Sequence, residues 1–204
     1  GKFDQLEWLI DTLRNNPLST KKTVTFINPT DRGDQALTPC HTGFKILVEP
    51  LTQEKREALY NSRGYSLNAP LYDSVSYLED YNIPLYGFTL QWEQDSVDTF
   101  LGLPFNIASY GLIAHILGKF TNMVPLRLIG DLSNVHIYEP HLNSVNLQLS
   151  RDTNTFGPCS LRLPETLTNT SSISILKSIS LKDIQLKDYV SYKSIPEEMF
   201  PYNK

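Results

Sequence analysis

Three short stretches of the sequence carry side chains that could do chemistry. The first contains Cys40, which follows Pro39 and precedes His41. A cysteine placed after proline at the entrance of a strand can present its sulfur to a pocket, where its thiolate is a nucleophile. His41 adds little to this interpretation, because adjacent strand residues point to opposite faces. A buried cysteine that only fills space fits the same local pattern.

The second stretch is a Gly/Pro turn at residues 102–105 that leads into an apolar helical pattern starting at Asn106. Asn106 is either a ligand-binding amide or a plain helix N-cap. The third stretch places His136 two positions before Tyr138, so a short strand would carry an imidazole and a phenol on one face. That pair suits a sugar hydroxyl, and it also fits a structural hydrogen-bonded pair.

The composition limits the classes of partner. A chain of 204 residues can bury a sizeable core as one domain. Its net charge is −4, and its 18 basic residues form no stripe along the sequence, so no nucleic-acid polymer is expected as a partner. The chain has two cysteines, no secretory leader pattern and no apolar run of membrane-spanning length. We therefore expect a soluble, cytoplasmic protein with no membrane partner.

Hydrophobic spacing predicts the elements that position the three stretches. We predict helices at residues 3–14, 106–120 (central and buried) and 142–151, strands at 23–27, 44–48, 88–92, 124–129 (buried) and 136–138, and late strands around Ile173, Ile175, Ile179, Leu181 and Ile184. Interleaved helices and strands without an internal repeat indicate a single α+β domain. Between Leu51 and Tyr86, a helix capped by Thr52 and a segment rich in Tyr, Asn, Pro and Ser predict a surface insertion with one further short helix.

Taken in order, the three stretches resemble the thymidylate synthase family. Residues 101–110, which read LGLPFNIASY, carry most of the resemblance. It extends through ALTPCH at 36–41, HIY at 136–138 and QLSR at 148–151, and it fades after Pro164. The implied fold is a single thymidylate synthase-like α+β domain over residues 1–204, with an insertion at about 51–86. Its sheet would pack against the sheet of a second copy, which would cover apolar strand faces such as Phe44, Ile46 and Val48.

The resemblance also implies a mechanism. The thiolate of Cys40 would attack C6 of a uracil ring, which makes C5 nucleophilic. The cosubstrate 5,10-methylenetetrahydrofolate would then supply a one-carbon unit to C5 and a hydride to complete the methyl group, and a hydroxymethylase that adds water instead remains open. Asn106 matches the asparagine that pairs with the pyrimidine edge, and it favours uracil over cytosine.

Further roles follow only from matched positions. The substrate contacts come first: His136 and Tyr138 match the residues that contact the deoxyribose hydroxyl, and Ser96, with Gln94 beside it, matches a phosphate contact. The folate site is matched by Asp98, Leu101 and Gly102. Lys21 matches an arginine that, in the family dimer, reaches the phosphate bound by the partner subunit. The substrate would be dUMP or a related pyrimidine nucleotide. No metal is part of this prediction.

The phosphate site departs from the family pattern. Gln94-Asp95-Ser96 replaces Gln-Arg-Ser, and two successive family arginines fall on Thr20 and Lys21. Lys22 or Arg127 could compensate. The general-acid glutamate and another arginine of the family precede the matched region, so we expect the N-terminal segment to be lacking here or supplied by another chain. The alternative is a non-catalytic homologue that serves as a structural or partner-binding subunit.

Overall fold

The computed structural model describes residues 3–31, 33–35, 38–65 and 76–199. The helices are α1 (Gln5–Asn15), α2 (Gln53–Ser62), α3 (Ser76–Asp80), α4 (Leu103–Thr121) and α5 (Leu142–Leu149). The strands are β1 (Thr23–Thr25), β2 (His41–Pro50), β3 (Tyr86–Gln94), β4 (Val97–Asp98), β5 (Val124–Leu132), β6 (Val135–His136), β7 (Ser160–Arg162) and β8 (Gln185–Lys187). This mixture of helices and sheet confirms the predicted α+β class.

Four strands form the main sheet in the order β1-β2-β3-β5. The predicted strands at 23–27, 44–48 and 88–92 are confirmed as β1, β2 and β3, and β2 with β3 forms an antiparallel pair. β5 runs parallel to β3, as expected when a helix such as α4 connects two strands. His41 at the start of β2 lies opposite Gln94 at the end of β3. This register brings two of the chemically interesting stretches side by side.

One face of the sheet is buried under α1 and α4. Phe44 and Ile46 lie opposite Trp92 and Leu90, and all four side chains are almost inaccessible to solvent. They share one core with Leu9, Ile10 and Leu13 of α1 and with Tyr110, Ala114, Leu117 and Phe120 of α4. Val48 packs against the same core. The prediction that these strand residues need a second copy as a cover is therefore wrong, because the chain's own helices cover them.

The opposite face of the sheet is partly open. Leu47 of β2 is 50% exposed and Ile129 of β5 is 41% exposed. On the same face, Lys45 and Glu93 form a cross-strand ion pair at 4.0 Å. Period-2 alternation puts these residues on the side away from Phe44. We call this face, with Leu47 and Ile129 as its exposed apolar residues, the open face.

The opening helix forms where its pattern predicts it. Asp4 caps α1 by accepting hydrogen bonds from the backbone N–H groups of Leu6 and Glu7 at 2.9 and 3.0 Å. Its buried residues are Leu9, Ile10 and Leu13. Pro17 follows two residues after the last helical residue and cannot extend the helix.

α4 starts earlier than predicted and is less buried in its first turns. Gly102 is its N-cap, and Pro104 lies in the first turn, where a missing N–H leaves no hydrogen bond unmade. Asn106 therefore lies inside the helix, which excludes the N-cap interpretation. Phe105 is 72% exposed and Ile107 is half-exposed. The prediction of a helix buried nearly all round is wrong at this end.

The predicted buried strand at 124–129 is the longer strand β5, which lies at one edge of the main sheet. Leu128 packs on the core, whereas Arg127 and Ile129 are exposed, so only one face of the strand is buried. The predicted helix that ends near Arg151 is confirmed as α5. No helix within the described ranges is both long and apolar enough to cross a bilayer.

The prediction of late strands is wrong for most of the segment after Pro164. Ile173–Lys177 and Leu181–Asp183 form short 3-10 turns instead. The side chains of Ser172 and Ser180 cap these turns by accepting backbone hydrogen bonds. Local side-chain capping of this kind competes with strand pairing. Within the described part of this segment, β8 is the only strand, and it pairs antiparallel with β7, which lies before Pro164.

The predicted insertion joins β2 to β3 at the end of the pair away from His41. Thr52 caps α2 by accepting the backbone N–H of Lys55 at 3.4 Å, as predicted. α3 is the predicted short helix. A small separate core consists of Tyr60, Leu78 and Ile83. Residues 66–75 of the insertion lie outside the described residues.

Candidate active site

Cys40 stands immediately before β2, at the predicted strand entrance, and is half-buried. Its carbonyl oxygen accepts the backbone N–H of Asp95 at 2.8 Å, which ties the start of β2 to the residue that follows β3. Cys159 is exposed and directly precedes β7. The two cysteines thus occupy different environments, and only Cys40 adjoins the end of the main sheet.

A bulge at the start of β2 turns His41 toward the core. His41 lies opposite Gln94 and Gly43 lies opposite Glu93, so β2 carries one extra residue between these pairs. An extra residue shifts the alternation of side chains, and His41 therefore shares a face with Phe44. Gly43 makes the bulge possible, because a Cβ there would lie 2.3 Å from the carbonyl oxygen of Val24. Regular strand alternation, on which we discounted His41, does not apply here.

His41 lines an open cleft of about 400 Å³ between the start of β2 and the first half of α4. The residues that line the cleft are Phe26, Pro39, His41, Asn106, Ser109, Tyr110 and Ile113. Pro39 and His41 are the two chain neighbours of Cys40. Apolar walls with a few convergent polar groups are typical of small-molecule sites.

Hydrogen bonds connect the polar groups of the cleft. Nδ1 of His41 lies 3.0 Å from the hydroxyl oxygen of Tyr110, and Nε2 lies 3.4 Å from Nδ2 of Asn106. Nε2 of Gln94 donates to Oδ1 of Asn106 at 3.2 Å. Asn106 and Tyr110 are four residues apart on α4, which puts them on the same side of the helix.

Gln94 is only 5% exposed and continues this network into the core. Its Nε2 also donates to the carbonyl oxygen of Ser96 at 2.9 Å, and its Oε1 accepts the indole N–H of Trp92 at 3.4 Å. Trp92 stacks on Tyr110 with ring centroids 5.0 Å apart. A Cβ on Gly130 would lie 2.5 Å from the indole, so a glycine there leaves room for the ring.

Burial keeps both titratable groups of the cleft neutral near pH 7. Removal from solvent lowers the pKa of His41 below its ordinary value of 6.5. The same cause raises the pKa of Tyr110 to about 12. The cleft therefore presents a neutral imidazole and a protonated phenol.

The turn before α4 is held by Asp98. Its Oδ1 accepts the backbone N–H groups of Phe100 and Leu101 at 3.0 and 3.3 Å, and its carbonyl accepts the N–H of Gly102 at 3.1 Å. A Cβ on Gly102 would lie 3.0 Å from the carbonyl oxygen of Asp98. The three predicted folate-site residues are thus neighbours in one tight turn.

His136 lies beside this turn because β6 pairs with β4, which places His136 next to Asp98. The backbone N–H of Thr99 donates to the carbonyl of His136 at 2.9 Å. Tyr138 lies beyond β6 rather than within it, so the predicted strand at 136–138 ends early. The imidazole and phenol rings still meet edge to face, 5.1 Å apart.

The predicted phosphate-site residues lie on the surface. Asp95, Ser96 and Lys21 are all exposed, and Lys21 directly precedes β1. The side chains of both cations that we considered as a replacement have partners elsewhere in the chain. Lys22 is buried, where its Nζ donates to the carbonyl oxygen of Pro17 at 2.5 Å. Arg127 pairs at 3.6 Å with Glu49 of β2.

The comparisons with known proteins agree with this geometry. The family model described as thymidylate synthase matches residues 1–200. The chain belongs to the thymidylate synthase family. Thymidylate synthase from Staphylococcus haemolyticus is 33% identical over 193 residues, which are 95% of this chain and 47% of that protein. The probable thymidylate synthase of Escherichia phage T5 is 36% identical over 151 residues, which are 74% of this chain and 42% of that protein.

The fold of the thymidylate synthase family is confirmed by a solved structure. The crystal structure of thymidylate synthase from T4 phage matches with a TM-score of 0.72 and 31% sequence identity. The match covers 98% of this chain and 59% of that one. The chain spans about half the length of the curated thymidylate synthases that it matches.

Three residues of the site escaped the sequence analysis, although the sequence contains signals for them. Tyr110 follows Asn106 by four positions on a predicted helix, and Trp92 precedes Gln94 by two positions on a predicted strand. Both spacings place side chains on a common face. His41 was harder to find, because its orientation depends on a bulge that no local pattern predicted.

Proposed function

We propose that this chain carries the nucleophile and the pyrimidine-binding groups of a thymidylate synthase-type site. In this proposal the Cys40 thiolate adds to C6 of a uracil deoxynucleoside or its phosphate. 5,10-Methylenetetrahydrofolate then transfers a one-carbon unit to C5. The observation that carries the proposal is the cleft beside Cys40, where Asn106 and His41 present hydrogen-bonding groups between apolar walls.

Asn106 and the Asp98 turn would each bind one of the two reactants near the N-terminus of α4. Asn106 offers an amide to the pyrimidine edge, and His136 with Tyr138 offers polar groups for the sugar. Asp98, Leu101 and Gly102 would contact the folate. Backbone N–H groups that donate to the carboxylate of Asp98 hold this turn in one conformation, and preorganised contacts of this kind favour reaction by holding groups in place.

The departure at Asp95 supports an alternative, a non-catalytic homologue that acts as a structural or partner-binding subunit. An exposed carboxylate now stands where the family holds a phosphate-binding cation, and Lys22 and Arg127 are engaged elsewhere. Within the enzyme proposal, the same departure implies weakened recognition of the phosphate and leaves nucleoside recognition intact.

Transfer of labelled carbon separates the two proposals. The protein is incubated with 5,10-methylenetetrahydrofolate labelled at the transferred carbon and with either deoxyuridine or dUMP. We expect label in the pyrimidine product, loss of this label in Cys40→Ser, and no change in Cys159→Ser. The product's mass distinguishes a methyl from a hydroxymethyl group. Equal activity of the unmodified protein and Cys40→Ser would contradict the role of Cys40, and absence of transfer to either substrate favours the subunit proposal.

The open face supports a homodimer within the same proposal. Leu47 and Ile129 are exposed there, whereas the other face of the sheet is covered by helices. A second copy of the chain would cover these residues with the same face of its own sheet, as a two-fold symmetric contact requires.

A further inference from the structure

A second cleft, of about 570 Å³, lies at the boundary between the insertion and the body of the domain. Three segments form its walls: the end of α2 together with Asn82 and Pro84, the C-terminal half of α4, and the loop at residues 165–169. Its described lining residues are all different from those of the candidate active site. Because the insertion supplies one wall, the resemblance to the family does not account for this cleft.

Hydrogen bonds and core packing hold the walls of the cleft in place. Nδ2 of Asn122, the C-cap of α4, donates to Oδ1 of Asn82 at 2.8 Å, which ties the insertion to the end of this helix. Nη1 of Arg63 donates to the backbone carbonyls of Tyr81 and Asn82, both at 3.4 Å. The buried side chain of Leu167 anchors the third wall. A cleft that is fixed before binding loses less conformational entropy when a ligand enters.

The charge of the cleft is mainly positive. Arg63 and Lys119 supply two exposed cations, and His115 lies one helical turn before Lys119 on the same side of α4. Glu165 is the one carboxylate among the described lining residues. Within the described part of the chain, neither cation forms an ion pair, and Nε and Nη2 of Arg63 and Nζ of Lys119 make no hydrogen bond. These N–H groups are available to a ligand.

The end of α4 does not exclude an anion from the cleft. Free carbonyl groups at a helix C-terminus repel negative charge. Here the carbonyl of Gly118 accepts the backbone N–H groups of Asn122 and Met123, and the carbonyl of Phe120 accepts Nε of Arg14 at 2.8 Å. These hydrogen bonds occupy carbonyl groups of the last turn, which reduces the repulsion.

The rest of the lining combines apolar surface with amide groups. Pro84, Pro125 and Leu167 supply the apolar surface, and Asn82 and Asn169 supply amides. A volume of about 570 Å³ lies in the range of small-molecule sites. A phosphate or carboxylate group alone would fill only a small part of it, so a ligand that fits the cleft also has a body.

We propose that this cleft is a second binding site, which takes an organic anion: a compact apolar or aromatic body that carries a phosphate or a carboxylate. The acid group would contact Arg63 and Lys119, which come from different walls, and the body would pack on Pro84 and Pro125. A guanidinium can bind either acid group through two hydrogen bonds. The proposal does not depend on the chemistry of the candidate active site.

Phenyl phosphate is a suitable probe, because it joins a phosphate dianion to an aromatic ring. Phenol carries the ring alone, and inorganic phosphate carries the acid alone. In calorimetry at low ionic strength, we expect phenyl phosphate to bind about tenfold more tightly than either control. Equally tight binding of phenol or of inorganic phosphate would overturn the proposal. Benzoate replaces the phosphate by a carboxylate, and binding of neither phenyl phosphate nor benzoate would overturn the proposal as well.

Charge variants test the contacts with opposite signs. Arg63→Gln and Lys119→Gln each remove one exposed cation, so the fold should be retained, and each should weaken phenyl phosphate binding by about three- to tenfold. Glu165→Gln removes the carboxylate and should tighten binding by about two- to threefold. Lys55→Gln, which removes an exposed charge of α2 outside the cleft, is the matched control and should change nothing. Unchanged affinity in both cation variants, or an equal loss in Lys55→Gln, would overturn the proposal.

Nitrogen-15 NMR of the side-chain amides locates the bound probe. Asn82→Asp, Asn169→Asp and Asn106→Asp assign the three signals. We expect phenyl phosphate to shift the signals of Asn82 and Asn169 in the unmodified protein, and to shift them much less at the same concentration in Arg63→Gln. A shift confined to Asn106 would place the probe in the candidate active site and overturn the proposal, whatever the outcome for the proposed function.

Discussion

Asp95 places an exposed carboxylate on the residue whose backbone is hydrogen-bonded to Cys40. It follows β3 directly, and its backbone is held by hydrogen bonds from its N–H to Cys40 and from the Asn134 side chain to its carbonyl. The backbone hydrogen bonds fix the position of the residue, whereas its carboxylate is exposed to solvent and can rotate. A carboxylate repels a phosphate dianion, whereas a guanidinium can bind one through two hydrogen bonds.

We predict that Asp95→Arg tightens the binding of dUMP. The substitution replaces repulsion by a charge-assisted contact, which corresponds to about tenfold or more in affinity. Deoxyuridine, which lacks the phosphate, should bind both proteins almost equally. Calorimetry with both ligands measures the effect, and Asp11→Arg, an equally large charge change on the exposed side of α1, is the control. Equal dUMP affinity in the unmodified protein and Asp95→Arg would contradict a phosphate site at this position.

His41 should make stability depend on pH. Burial lowers its pKa in the folded protein, while in the unfolded chain the pKa stays near 6.5. As the pH falls below about 6.5, the unfolded chain binds more protons than the folded protein, so the free energy of unfolding decreases. The decrease ends once the pH is below the folded pKa as well.

We therefore expect the thermal midpoint to drop between pH 7.5 and pH 5, and to drop less in His41→Gln. Differential scanning fluorimetry in matched buffers measures both slopes. His115→Gln, which changes an exposed histidine of α4, should leave the pH dependence as in the unmodified protein. A drop of the same size in His41→Gln and the unmodified protein would show that other groups cause it.

At the scale of elements, the bulge in β2 is what brings His41 into the cleft. It places His41 opposite Gln94. Because Gly43 has no side chain, the backbone of β1 can pass close to it. Without the extra residue, regular alternation would point His41 to the open face. The geometry of the site thus depends on one glycine that has no functional group.

We predict that Gly43→Ala destabilises the protein and weakens nucleoside binding together. Its Cβ would lie 2.3 Å from the carbonyl oxygen of Val24, so β1 or β2 must shift. Overpacking of this kind costs about 1–3 kcal/mol. Chemical denaturation and calorimetry with deoxyuridine measure the two effects. Gly157→Ala, where a Cβ meets nothing within 4 Å, should change neither, and a neutral Gly43→Ala would contradict the close approach.

Elements with strong periodic patterns could be predicted from the sequence, and those governed by local capping could not. α1 and β3 formed as predicted because their apolar spacing and their burial agree. After Pro164, alternating isoleucines suggested strands, but Ser172 and Ser180 supply hydrogen bonds that start 3-10 turns. The Ser180 turn even has a capping box with Asp183, a pattern that is visible in the sequence.

The same distinction applies to the site. Cys40, Asn106 and the Asp98 turn could be proposed as site residues from the sequence because they stand in stretches that resemble the family. The connection from Trp92 through Gln94 to His41 could not, because it combines a strand register, a bulge and a helix face. No single stretch of sequence contains all three.

At the scale of the whole molecule, the main sheet has two different faces. One is filled by α1 and α4, and its apolar residues are buried within the chain. The open face carries two half-exposed apolar residues, Leu47 and Ile129, among charged neighbours that include the Lys45–Glu93 pair. Such a face suits a second copy of the chain, because two-fold packing would bury the apolar centre and leave the charged pairs near the rim.

We predict that the protein forms a dimer through the open face and that Leu47→Asp weakens it. Leu47 is already half-exposed in the single chain, so the substitution should change the stability of the subunit little. In the dimer it would bury a carboxylate without a partner, which costs about 1–3 kcal/mol or more and should raise the dissociation constant at least tenfold. Sedimentation velocity over a range of micromolar concentrations measures the shift toward monomer. Leu181→Asp makes the same change at an exposed residue of a 3-10 turn outside the main sheet, and it should leave the dimer intact. If the unmodified protein stays monomeric throughout this concentration range, the predicted dimer is contradicted. If Leu47→Asp forms the dimer as readily as the unmodified protein, the dimer contact lies on another surface.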